Sequence, residues 1–85
     1  MMRKIQQFRQ RENVLSVLPI LELVGQRRLL IEHHDGVLSY APNEIKIKVG
    51  YGCVIVDGKD LQLMEMTRVK LAICGRIDGL QLLGR

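Results

Sequence analysis

The run from Glu44 to Val49, EIKIKV, constrains this chain more than any other six residues. Successive side chains on a strand point to opposite faces. The period-two writing therefore sets Ile45, Ile47 and Val49 on one face and Lys46 and Lys48 on the other. A helix would scatter the same residues around its axis. Similar writing recurs along the chain. ILELV places Leu21 and Leu23 opposite in facing to Ile20, and RLLIEH, VLSY, CVIV, LQLMEM, VKLAICG and RIDGLQLL follow. Between them stand residues that favour turns: Gly25-Gln26, Asp35-Gly36, Pro42-Asn43, the GYG of 50–52, and the DGKD of 57–60. Seven or eight short strands at this spacing predict an all-β domain, an antiparallel meander rolled or sandwiched on itself. Long helices do not alternate with the strands, which argues against a parallel βαβ sheet. GVLSY, GCVIV, GKDLQL and GRIDGLQL resemble one another loosely, so a β-solenoid-like stack is the alternative; their irregular period favours the meander.

Residues 1–17 read differently. Ile5, Phe8 and Leu15 fall near helical spacing, with Lys, Arg and Gln between them and no Gly or Pro. The pattern predicts a short, basic amphipathic helix, or an arm that becomes one on contact. Its apolar stripe is thin, so the helix is expected to fray when free. Pro19 marks the change to strand periodicity, which divides the chain into an arm, 1–17, and a β domain, 18–85.

Eighty-five residues form one domain. A chain of this size buries only about 60% of the surface its unfolded form exposes, so association with another chain would help it. No apolar run is long enough to span a bilayer, and the N-terminus has no apolar core or small-residue cleavage site. A cytoplasmic protein with reduced thiols at Cys53 and Cys74 is the expectation. The formal net charge is +4, with much of the excess at Arg3, Lys4, Arg9, Arg11, Arg27 and Arg28. A basic arm suits an anionic membrane surface or a nucleic acid. Phe8, Tyr40 and Tyr51 are the only aromatic residues, and single-strand binding relies on aromatic platforms. A basic nucleic-acid-binding module is therefore the weaker alternative.

Few residues suggest chemistry. His33 and His34 are adjacent on an extended segment, so their side chains diverge. With Cys53 and Cys74 they supply two His and two Cys, but neither the C-x-x-C nor the H-x-x-x-H spacing of a zinc site is present. Asp57 and Asp60 frame a turn, where Asp caps local N–H groups. Ser16 and Ser39 lack a nucleophile-elbow context, and GYGCV lacks the third glycine of a dinucleotide loop. No catalytic residue, cofactor or metal is expected. Lys46, Lys48 and Lys59 suit a solvent face, where lysine discourages unwanted strand pairing.

The apolar residues are more informative. LQLMEM, CVIV and LAIC carry apolar side chains on both faces, which a small monomer hides poorly. Methionine adapts to irregular partners, so Met64 and Met66 join the basic positions and Phe8 as candidate interaction residues. Self-association, giving a homo-oligomer, is the main inference from the residues themselves.

LPILELVG, RLLIEHHDGVLSY, the IVDGKDLQLMEMT block and the closing ICGRIDGLQLL together resemble the YabP/YqfC family of sporulation proteins from endospore-forming bacteria. The likeness is closer to the YqfC branch, whose short basic lead-in RKIQQFRQR is similar to, and it extends over nearly the whole chain. The VGYGC turn and the two cysteines depart from the pattern. The resemblance implies a small, non-enzymatic protein made in the mother cell, associated with a membrane-bound sporulation protein, YqfD. It supplies no catalytic motif.

Overall fold

A computed structural model of the chain describes residues 18–50 and 52–84. The arm, 1–17, lies outside the described residues, and with it the candidates Arg3, Lys4, Phe8, Arg9 and Arg11. The described residues are all-β, with six strands: β1 Ile20–Val24, β2 Arg28–Glu32, β3 Val37–Ala41, β4 Glu44–Val49, β5 Gly52–Met66 and β6 Lys70–Gly84. They form one antiparallel sheet in the order β1-β2-β6-β5-β4-β3. The class expected from the sequence holds. The strands are fewer than the expected seven or eight because β5 and β6 are each 15 residues long and run through positions that read as turns. Strands β3 to β6 form a meander, but the β1–β2 hairpin docks on β6, so Asp35-Gly36 does not join a paired hairpin. All pairings are antiparallel, which leaves no solenoid among the described residues.

The long β5–β6 hairpin bends in its middle. Its register slips at Asp57/Gly58, Lys59/Gln62 and Leu63/Glu65. Each slip is an extra residue on one strand, which kinks the ribbon and tightens its twist. Glycine makes the crossing close. A Cβ on Gly58 would sit 1.9 Å from the Arg76 carbonyl oxygen, and one on Gly75 would sit 2.6 Å from that of Asp60. Gly75 also has φ +133°, and Asp60 sits at φ 55°, a left-handed conformation that Asp tolerates better than most residues. The DGKD of 57–60 therefore curves the chain as its composition suggests, but inside a strand. Neighbouring turns brace the bend. Gly58 and Leu61 donate to the carbonyls of Asn43 (3.1 Å) and Pro42 (2.8 Å), and Gly75 and Ile77 donate to Arg27 (3.1 Å) and Gln26 (2.8 Å).

The bend divides the sheet into two layers. The first contains β1, β2, the Lys70–Cys74 end of β6 and the Gln62–Met66 end of β5. The second contains β3, β4, Gly52–Asp57 and Gly79–Gly84. Leu29, Ile31, Leu71 and Ile73 of the first layer share one core with Ile45, Ile47, Val54 and Val56 of the second. Leu29, Ile45, Ile47 and Val54 are each 0% exposed, which one open sheet face cannot achieve; the layers cover each other. The alternation read in EIKIKV is realised: Ile45, Ile47 and Val49 are buried, while Lys46 and Lys48 face out beside Ile55 and Cys53.

Candidate interaction surface

One side of the roll is closed by hydrogen bonds. The segment 33–36 crosses from the tip of the first layer to the second. His33 donates to the Val69 carbonyl (2.7 Å), Asp35 donates to that of Lys48 (2.7 Å), and Lys48 donates to that of Gly36 (2.8 Å). His34, 7% exposed, anchors the crossing. Its Nε2 lies 2.9 Å from the Thr67 carbonyl, and its Nδ1 accepts from Gly36 N–H at 3.0 Å. A carbonyl only accepts and an amide only donates, so these partners assign the neutral ring with its proton on Nε2. Thr67 Oγ1 accepts from Val69 and Lys70 N–H, fixing the β5–β6 turn. Nearer the bend, Tyr40 on β3 reaches across and its hydroxyl accepts from Leu63 N–H at 3.3 Å.

The other side is open. Hydrogen bonding between the β1–β2 hairpin and β6 ends at Ile77, and among the described residues β6 pairs only with β5 from Asp78 to Gly84. By register, Leu80 and Leu82 lie opposite Val56 and Val54, on the inner face. The valines are 0% exposed; Leu80 is 37% and Leu82 65% exposed. Leu83, on the outer face opposite Cys53, is also exposed. On β1, Leu23 lies opposite the buried Leu29 and is 47% exposed. Leu18 and Pro19 line a shallow, nearly wholly apolar groove with Val49, Gly52, Leu82 and Leu83. Among the described residues the inner face thus continues to a strand edge without a ladder partner, and Leu80 and Leu82 are exposed there.

The described candidates Arg27, Arg28, Met64 and Met66 do not form one patch. Arg27 is exposed in the β1–β2 turn, and Arg28 opens β2 on the outer face opposite Cys74, close to the bend. Met64 and Met66 are exposed at the opposite end of that layer, beside the β5–β6 turn. The bulge at Leu63/Glu65 breaks the simple alternation of LQLMEM and turns Glu65 to the outer face opposite Ala72. Cys53 and Cys74 are free thiols in different layers. Among the described residues no three His, Cys, Asp or Glu side chains gather where they could share a metal ion. Sequence reasoning missed Leu80, Leu82 and Leu83. Their signal was GLQLLG, six neutral residues without a gatekeeping charge.

These features define a class: a small protein whose described residues are all-β, built on one bent antiparallel sheet with an apolar strand edge that no other described strand covers. The chain belongs to the YabP family, which matches residues 19–85. It is 29% identical over 66 residues to the uncharacterized protein YqfC of Bacillus subtilis (strain 168), covering 78% of this chain and 71% of that protein. No solved structure matches it.

Proposed function

We propose that this chain is a non-enzymatic sporulation protein, a β-sheet module that acts by assembling with itself and with a protein partner in spore morphogenesis. Family membership supports the setting. The open edge of β6, with inner-face leucines exposed beside it, is the observation that carries the mode of action. An uncovered apolar surface at a free edge is costly in water and is relieved by a partner. The partner is a membrane-bound protein of the YqfD kind, and the site of action is the mother-cell side of the forespore membrane. The basic arm carrying Arg3, Lys4, Arg9 and Arg11, with Phe8 among them, adds contact with anionic lipid.

Deleting the gene in its sporulating host is expected to lower the count of heat-resistant spores, and restoring the full chain should recover it. A fluorescently tagged chain lacking residues 1–17 should keep its β fold and lose its place at the membrane. Normal spore counts in the deletion strain would reject the sporulation role. Normal localisation of the truncated chain would reject the role of the arm.

A further inference from the structure

Not all strand edges here invite pairing equally. Edge β1 carries Glu22, edge β3 runs into Pro42, and the uncovered half of β5 carries Glu65 with Arg68 in the turn beyond. Charges and proline are the usual means of keeping an edge from pairing. The stretch Gly79–Gly84 of β6 has none of them.

We infer that a second copy of this chain covers this edge, the two β6 strands pairing antiparallel about a two-fold axis through Gln81. This deepens the proposed function and rests on its self-assembly. Three observations select the occupant and the register. Residues opposite one another in a ladder share a face, so inner-face Leu80 and Leu82 must meet inner-face residues of the partner copy. An axis at Gln81 sets Leu80 of each copy opposite Leu82 of the other, which brings together the exposed leucines of both inner faces. Charge agrees with this contact: each chain carries +4, and the neutral stretch Gly79–Gly84 brings no like charges face to face. The pairing joins the two second layers into one continuous sheet and closes the interface as an isologous dimer.

The test uses the full chain. Light scattering after size exclusion, over a range of concentrations, should give about twice the monomer mass of 9.7 kDa. Leu82→Lys should return the mass to one chain without loss of the far-ultraviolet strand signal. In a Cys53→Ser, Cys74→Ser background, Gln81→Cys should form a disulfide-linked dimer on mild oxidation, because the axis places residue 81 against itself at strand-pair distance. Ser39→Cys on the β3 edge should not. A monomer at every concentration overturns the inference, as does a dimer that survives Leu82→Lys or cross-links no better at 81 than at 39. An edge filled by another protein's strand, or by residues 1–17 of the same chain, would appear as that monomer. Spore counts read independently of mass: a monomeric chain whose deletion still lowers them removes the dimer and leaves the sporulation role standing.

Discussion

Along one side of the roll the layers are tied by backbone bonds from 33–36, by both ring nitrogens of His34 and by the Tyr40 hydroxyl. Along the other side β6 runs past its last bond to the β1–β2 hairpin, and Leu80 and Leu82 emerge from the core into solvent. The closed side is made of polar atoms around the Asp35-Gly36 turn and of the Tyr40 hydroxyl, and the open side of apolar residues that read as strand. Polar groups at the closed side have found partners within the chain. The strand at the open side has backbone and leucines without a partner among the described residues, so the closed side bears on stability and the open side on the assembly proposed above.

Substitutions can separate the two. The largest loss is expected at the bend on which both sides depend. Gly58→Val forces a side chain into the Arg76 carbonyl, and Gly75→Val does the same at Asp60 from a left-handed φ. Each should cost roughly 3 kcal/mol or more and leave little folded protein, as read by urea denaturation. A variant as stable as the parent would mean that the strands do not cross so closely. Trimming the shared core is next: Ile47→Ala or Ile73→Ala should lower stability by about 2–5 kcal/mol, with a calorimetric melting temperature falling in step.

On the closed side, His34→Ala strands the Gly36 amide and the Thr67 carbonyl and should cost about 1–3 kcal/mol. Amide hydrogen exchange would show the loss at Gly36, and unchanged protection there would remove the seam's importance. Tyr40→Phe deletes a single partially exposed acceptor and should cost at most about 1 kcal/mol in the same urea titration. On the open side, Leu82→Lys should shift the unfolding midpoint of the isolated chain hardly at all, because Leu82 is already 65% exposed. A large destabilisation there would contradict the division between the sides.

The strand faces were legible in the sequence because alternation is a local property. Ile45, Ile47 and Val49 could be assigned from six residues alone. The bend was not, because glycine and aspartate mark curvature without saying whether the chain reverses or kinks. Gly58 looks the same in a hairpin as in a bulge, and only its approach to Arg76, far along the chain, distinguishes them. His34 was invisible for a similar reason, since its partner Thr67 lies 33 residues away. The exposed leucines of β6 were not legible as a place. Two-sided apolar strands suggested association, yet attention fell on the methionines of β5. Which inner-face residues stay covered depends on where a neighbouring strand ends.

That β2 pairs with β6 also orders events in time. The stretch of β6 that completes β2 is made after β3, β4 and β5, so the β1–β2 hairpin is synthesised well before its neighbour. A two-stranded hairpin is marginal alone in water. Loop closure over so much chain is slow, and folding dominated by such pairings proceeds in milliseconds to seconds rather than microseconds. Until β6 arrives, Leu29 and Ile31 have no sheet to enter. The nascent chain is therefore most exposed to misassociation in the interval before β6 emerges.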